Sequence, residues 1–576
     1  MYLYDLPKAI KTLELERFDF GDAEGLSDSL LEKDANCFCR IQPISEFLKG
    51  KKVYVVGERG TGKTAVYRLI NDNVLKFDNP LEKTQIILPI SESYQYRLIK
   101  EQILPLINST ITDDSARYRY VWEVYLIYRI IISIKSNFPD TEKLFSTFLS
   151  IFATNSKNNT TLFDIIKSVK ISVGCKLGQA LGTGMPLPDF YLSAQPVSDN
   201  KEQGDTKKDA KIIEIDLDNL KVSICEILKR NKSVLYVLMD SLDEFVIKEE
   251  YDVQRMMLHG LIESVNGYIK YAEIKPKVFI RSDLFSKINF EEIQYDKMID
   301  KTIELTWTDE EIREFIARRI AYNYIINIDE IKSLRISDGS NMNSVSRLQT
   351  FKHILINLYA QIYYFVCRDK SIYKDKYDAK TVNFNDRINK ILITSMLPRE
   401  VKHFDNNGVY EKKCVFEYLS THFNLADERT TPRVIQLFIS KTFSMALDYH
   451  KKNDILSYEI LLNEENEYPI VTRDALSQAY TWFQNFMWEN IISFTPTSKW
   501  KTYISKIQKN VDNNTCLDFE ALKTMINLKD NEELTQFLAF LCHVRILKCT
   551  NPKIEYYKRQ YTVPVVFRKV YQDSTN

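Results

Sequence analysis

Residues Lys51–Ile70 read KKVYVVGERGTGKTAVYRLI. Val53, Tyr54, Val55 and Val56 form a short apolar run of the kind that makes a buried strand, and Val66, Leu69 and Ile70 recur behind it at helical spacing. Between the two lies Gly57-Glu58-Arg59-Gly60-Thr61-Gly62-Lys63-Thr64, which is G-x-x-x-x-G-K-[ST], the P-loop or Walker A pattern. Its glycines let the backbone curl so that N–H groups point inward at phosphate oxygens. The loop feeds a helix N-terminus, whose free N–H groups and dipole favour an anion. Lys63 can reach the β- and γ-phosphates, and Thr64 can offer its hydroxyl to Mg²⁺. The candidate nucleotide contacts are therefore Gly57, Glu58, Arg59, Gly60, Thr61, Gly62, Lys63, Thr64 and Ala65.

The second half of such a site is an apolar strand ending in an acid. Ser233–Asp240, SVLYVLMD, has that form and follows the loop in the expected order. Asp240 is the candidate Mg²⁺ holder opposite Thr64. Hydrolysis also needs a carboxylate that orients and deprotonates water. Asp243 and Glu244 are both candidates, and the spacing does not separate them. Further strands are expected at Thr84–Ile90, Lys277–Ile280 and Thr302–Leu305. The fourth strand ends in Arg281-Ser282-Asp283, where Arg281 either senses a γ-phosphate or pairs with a nearby acid. After the fifth, Thr308 and Glu311 have capping-box spacing and open a helix. Arg97–Ile134 reads as helical, with Trp122, Leu126, Ile130 and Ile134 on a core stripe, and another helix is expected from about Leu217 to Arg230.

Composition narrows the class. A chain of 576 residues is too long for one core. Lysine plus arginine equals aspartate plus glutamate at 78 each, which disfavours a surface coated by nucleic acid while allowing a local basic patch. The nine cysteines show no zinc spacing and fit a reducing compartment. The first residues lack the pattern of a signal peptide, and the apolar stretch 120–134 is too short and too charged to span a bilayer, so a cytoplasmic location with no membrane partner is expected.

The order of FDFGDAE (18–24), GERGTGKT, VLYVLMDSLDE, VFIRSD and ELTWTDEEIREFIARRI resembles bacterial STAND-type or AAA-like P-loop ATPases, the class that keeps an extra strand between Walker A and Walker B. It also resembles P-loop ATPases of this layout met in mobile or phage-defence loci. The resemblance implies an α/β P-loop NTPase core with a parallel sheet of five main strands, then an all-α lid and a C-terminal winged helix. The expected division is 1–45 as the segment leading to the nucleotide base, 46–310 as the ATPase core, 311–498 as the lid and 499–576 as the winged helix. It implies ATP and Mg²⁺ as cofactors, a homo-oligomer, and an effector protein acting in trans. In such ATPases the segment before the first strand lies over the base, a role open to Phe20 and Gly21; a hydrophobic plug with a turn is the alternative. The lid of AAA-like relatives carries a Pro-Arg at a helix start that reaches the γ-phosphate. Pro432-Arg433, after Thr430-Thr431, resembles it, with pairing to a surface acid as the alternative. One departure is Ser241, where many relatives place a second acid.

Residues 152–210, rich in Gly, Pro, Asn and Ser, read as an irregular insertion. From 311 to 450 the pattern reads as helical, including Leu348–Cys367, with a polar break at Ala379–Asp386. Within 499–570, short helices are expected at Leu517–Ile526 and from Asn531 or Glu532 to about Val544, with strands at Ile546–Cys549 and Tyr561–Phe567. Residues 541–570 carry seven lysines and arginines against the single acid Glu555, with Tyr556 and Tyr557 among them. That suits a DNA-binding wing. However, LTQFLAFLCHV (534–544) is too apolar for a helix that reads base edges, and a packing module is the competing role. The expectation is an ATP-dependent switch acting on a partner, with a DNA-acting ATPase as the alternative.

Overall fold

The computed structural model describes residues 13–25, 27–33, 37–78, 83–91, 99, 103, 114–138, 141, 143–145, 148, 206–242, 251–285, 295–327, 386–404, 410–424, 430–453, 457–458, 469–495, 497–511, 516–551 and 554–568. The expected insertion to residue 205, the helix Leu348–Cys367, the polar break over residues 379–385 and the candidate bases Asp243 and Glu244 lie outside them. The chain forms two compact units. One comprises Gln42–Arg59 and Lys63–Leu305, and the other Met1–Ile41, Gly60–Gly62 and Thr306–Asn576.

The first unit is built on five strands: β1 (Tyr54–Gly57), β2 (Thr84–Ile90), β3 (Ser233–Met239), β4 (Ile274–Arg281) and β5 (Thr302–Leu305). Their order is β2-β3-β4-β1-β5 and every pair is parallel. A parallel sheet is covered on both faces, so its strands read as continuous apolar runs rather than alternating ones. β4 lies between β1 and β3, so one strand separates the glycine-loop strand from the strand that ends in Asp240. A five-stranded parallel sheet with helices in this order fits the α/β core expected of a P-loop NTPase. All five strands fall where the apolar runs place them, although β4 is longer at both ends than Lys277–Ile280.

Two helices carry the core beside the sheet, α3 (Asp114–Lys135) and α5 (Tyr251–Tyr268), and the unit also holds α1 (Gln42–Leu48), α2 (Lys63–Asn71), α4 (Thr206–Arg230) and the short helices Ser282–Phe285 and Tyr295–Lys301. Trp122, Leu126, Ile130 and Ile134 are all buried on α3. The Trp122 indole donates to the Met257 carbonyl at 2.8 Å. A side chain at Gly260 would meet the Tyr118 backbone at 2.5 Å, so glycine permits this close helix crossing. Glu123 of α3 and Lys221 of α4 form a buried ion pair, each under 5% exposed.

The second unit is mainly helical: α6 (Asp309–Asn327), α7 (Asp386–Met396), α8 (Val415–Thr421), α9 (Pro432–Lys452), α10 (Arg473–Phe494), α11 (Ser498–Asn510), α12 (Phe519–Ile526) and α13 (Asn531–His543). The capping box forms as expected, with Thr308 N–H donating to Glu311 at 2.9 Å and Glu311 N–H to Thr308 Oγ1 at 3.2 Å. The all-helical expectation for 311–450 fails at β6 (Glu400–Phe404) and β7 (Tyr410–Cys414), an antiparallel pair. The segment between them reads DNNGV, whose Asn-Asn-Gly is a hairpin-turn signal that the surrounding helical pattern masks.

Near the C-terminus, β8 (Cys516–Asp518), β9 (Lys548–Cys549) and β10 (Gln560–Thr562) form an antiparallel sheet with β10 central. Leu517 is thus in a strand, not a helix. Asp518 is the N-cap, extended at φ −90° and ψ 175°, and its carboxylate accepts from Ala521 N–H. The strand expected to run to Phe567 ends at Thr562. Pro564 follows with no N–H to donate, and Val565–Phe567 turns as a 3₁₀ segment. Among the described residues no helix is long and apolar enough to cross a membrane.

Candidate nucleotide site

In a parallel sheet the C-terminal ends of all strands share one edge, where loops converge. Register places three expected groups there. Gly57, the last residue of β1, pairs with Arg281, the last of β4. Met239 pairs with Val278, and the next residue, Asp240, donates its N–H to the Ile90 carbonyl at 2.8 Å. The glycine loop therefore leaves the same edge that carries Asp240 and Arg281.

Each of these groups has a defined setting. Lys63 is 8% exposed and donates from Nζ to the Gly57 and Glu58 carbonyls, both at 2.7 Å. The lysine thus bends back over the start of its own loop, a position from which a charged oxygen could draw it. Thr64 and Ala65 follow in the first turn of α2, half-buried. Asp240 is 3% exposed. Ser241 directly after it adopts φ +57°, a region that non-glycine residues rarely occupy and that functional sites often use. Arg281 forks Asp283 through two bonds, Nε at 2.9 Å and Nη2 at 2.8 Å. The structural pairing open to this arginine is thus present, and a phosphate would have to share or displace Asp283.

The tip of the glycine loop, Gly60–Gly62, belongs by its contacts to the second unit. Gly60 and Gly62 have φ +88° and +96°, which only glycine adopts without strain. At Gly60 space adds a second requirement, because a Cβ would lie 2.7 Å from Arg433 Cβ and 3.1 Å from Thr431 Oγ1. Two donors hold the tip carbonyls: Arg433 N–H to Gly60 at 3.4 Å, and the Trp307 indole to Thr61 at 2.9 Å. Arg433 stands at the start of α9, immediately after Pro432 in the helix's first turn, and is half-buried. Thr430 and Thr431, each 4% exposed, have hydroxyls with no hydrogen-bond partner among the described residues. The sequence alone assigns no role to Trp307, Thr430 or Thr431. A tryptophan directly after the last core strand is the available signal for the first.

Phe20 and Gly21 are locked within the second unit. Phe20 is 4% exposed and its ring lies 5.3 Å from that of Phe443. Its carbonyl accepts from Arg319 and Gln436, and Gln436 also donates to the Gly21 carbonyl at 2.8 Å. Gly21 has φ +74°, and a Cβ there would clash with Asp28 and Arg319. Arg319 in turn is ion-paired to Asp28 at 2.5 Å, and Asn323 grips the Asp19 main chain through both its N–H and its carbonyl. The Phe20 ring and the Phe20 and Gly21 carbonyls are thus engaged inside this unit. Arg319, Asn323 and Gln436 are invisible as partners in the sequence because they lie some 300 to 416 residues away along the chain.

No protein-family model matches the chain. It is 23% identical over 341 residues to the putative transposon gamma-delta 80.3 kDa protein of Escherichia coli strain K12, a match covering 58% of this chain and 44% of that protein. The chain thus spans under half the length of the curated relative it matches. Among solved structures it is similar to the Aeropyrum pernix ORC2 protein in its ADPNP-ADP complexes, with 8% identity, a TM-score of 0.34, and coverage of 94% of this chain and 91% of that one. Likeness that slight carries no inference, so the functional reading rests on the strand order and the residues of the site.

Proposed function

We propose that this chain is an Mg²⁺-dependent, ATP-binding and ATP-hydrolysing molecular switch that regulates a partner effector in trans, in bacterial anti-phage defence. The observation that carries the reading is the strand order β2-β3-β4-β1-β5, which brings the glycine loop, Asp240 and Arg281 to one sheet edge. Loop amides and Lys63 would hold the phosphates. A hydroxyl from Thr64 and a carboxylate from Asp240 form a hard oxygen donor set suited to Mg²⁺, which would supply charge neutralisation of the phosphates. Asp243 or Glu244 would orient water, and Arg281 and Arg433 would respond to the γ-phosphate. The Phe20–Gly21 main chain would lie toward the base. An effector, a homo-oligomer and a cytoplasmic site of action complete the proposal.

Lys63→Ala should abolish ATP binding in equilibrium dialysis and turnover in a phosphate-release assay. Wild-type ATPase activity in that variant would overturn the assignment. At saturating ATP, comparing Asp243→Asn with Glu244→Gln identifies the base as the one whose loss lowers kcat by about 10²-fold or more.

A second reading, a DNA-acting AAA-like ATPase, is favoured by the C-terminal module. There, α11, β8, α12, α13, β9 and β10 follow the order of a winged helix, with the basic run 545–569 around its wing. The transposon origin in the relative's name points the same way. Against it, α13 (NEELTQFLAFLCH) carries no lysine or arginine, and its exposed positions include Asn531, Glu532 and Gln536. Two acids in its first turn would repel phosphates. Mass photometry with ATP and with duplex DNA separates the two. ATP-dependent oligomers indifferent to DNA support the switch, whereas salt-sensitive DNA binding with DNA-stimulated turnover supports the alternative.

A further inference from the structure

The sheet has a second edge. At the N-terminal ends of the five strands, opposite the glycine loop, lies a cavity of about 450 Å³, within the range of small-molecule sites. Six lysines line it: Lys49, Lys51, Lys83, Lys275, Lys277 and Lys301. Asp78 is the only carboxylate among its lining residues. The cluster follows from the topology, because Lys49, Lys51, Lys83 and Lys301 precede strands, Lys275 and Lys277 lie in the first half of β4, and parallel pairing gathers the strand starts on one edge. Lys275 and Lys277 are two apart on β4 and so share a face, and Lys275 is in register with Tyr236 of β3.

The floor is built rather than incidental. Lys277 is 1% exposed and is held over the Phe47 and Phe77 rings, 5.2 Å from each centroid. It donates to the Gly50 and Lys52 carbonyls and meets no carboxylate among the described residues. Burial, then repulsion from Lys275 and Lys301, holds it down to about 7. Phe77 stacks flat on Tyr236 at 4.0 Å, which stiffens the aromatic wall. Lys83 is paired with Glu273 at 3.6 Å, yet Lys49, Lys51, Lys275 and Lys301 make no ion pair with a described residue. Val53, Val234, Ile274 and Pro276 supply an apolar lining. Positive charges gathered this closely repel one another, and a multivalent anion would relieve that cost.

We propose that this cavity binds a nucleotide-sized organic anion bearing two or more phosphates, at a site separate from the glycine loop. The lysines would take the phosphates, and the apolar wall the organic part. A volume of about 450 Å³ suits a small ligand better than a nucleic-acid backbone, which needs an extended track. The inference does not rest on the switch reading, because none of its residues belongs to the loop edge.

The test uses calorimetric titration of the full chain with adenosine 3′,5′-bisphosphate and with inorganic tripolyphosphate. Binding at the lysine cavity should persist in Lys63→Ala, whatever the glycine loop itself takes up in wild type. Binding should weaken about tenfold or more in Lys275→Gln/Lys301→Gln, and about threefold in the exposed-rim variant Lys49→Gln/Lys51→Gln, which leaves the floor untouched. Loss of binding only in Lys63→Ala would assign the signal to the glycine loop and overturn the proposal. So would equal affinity in wild type and both lysine variants, or no binding at all. A single-stranded 20-mer DNA that binds more than tenfold tighter through the same lysines would replace it with a nucleic-acid surface.

Discussion

At the scale of single residues, backbone sign and buried charge decide the outcome. Gly60 is constrained twice, by φ +88° and by the 2.7 Å approach to Arg433 Cβ. Gly60→Ala should therefore cost at least about 1–2 kcal/mol by thermal denaturation, the penalty of a left-handed Cβ before any clash is added. Gly62 has the same sign of φ but open space around it, so Gly62→Ala should show the backbone penalty alone. Lys277 gives a pH signature. Its native value is held near 7 by burial and by Lys275 and Lys301, against about 10.5 when unfolded. The unfolded chain therefore binds more protons between those values, and stability contributed by this group rises with pH above 7. Lys221, also held down to about 7 mainly by burial, acts in the same sense, so between pH 7 and 9 urea titrations should show a rise approaching about 1.4 kcal/mol per pH unit for each of the two lysines, and Lys277→Met should remove one such share. Above pH 9 the half-buried Cys225 and Cys542 thiols, pushed up to about 12 and about 11 mainly by desolvation, oppose it by keeping protons that the unfolded chain loses.

At the scale of elements, local signals hold where the interaction closes within a few residues. Thr308 and Glu311 satisfy each other's N–H at 2.9 and 3.2 Å, and Thr308→Ala should lower stability by about 1 kcal/mol. The hairpin at 400–414 shows the opposite case: strand alternation there is hidden between long helical patterns. The pairing of α3 with α4 depends on Glu123 and Lys221, buried together. Glu123→Leu alone should destabilise by about 1–3 kcal/mol, because the buried Lys221 ammonium then keeps only Asp218, at 3.1 Å, as its carboxylate partner among the described residues, whereas Glu123→Leu with Lys221→Met should recover most of that loss. Chemical denaturation of the two singles and the double gives the coupling directly.

At the scale of the whole molecule, the chain forms two compact units, one of Gln42–Arg59 and Lys63–Leu305 and one of Met1–Ile41, Gly60–Gly62 and Thr306–Asn576. Each unit has its own apolar interior, the first around α3, α5 and the sheet, the second including Ile435, Phe438, Phe483 and Trp488. Calorimetric unfolding should accordingly depart from a two-state transition, with a van't Hoff enthalpy below the calorimetric one. Coincidence of the two enthalpies would show that the units unfold as one.

Gly57–Thr64, the acid-tipped strand at Asp240 and all five core strands are legible from the chain alone, because each rests on contiguous residues: an apolar run, a turn that needs glycine, a capping pair. Their order in the sheet is expected only through resemblance, and the pairings themselves place β4 between β1 and β3. Other features are invisible in one dimension. Trp307 reaches Thr61 across 246 residues, and Gln436 holds the Phe20 carbonyl across 416. The six lysines are scattered from 49 to 301 and look like ordinary surface charge until parallel pairing gathers every strand start on one edge. Periodicity and motifs report what a segment does with its own neighbours. Which distant groups share a wall depends on strand order and helix crossing, and only the folded chain supplies those.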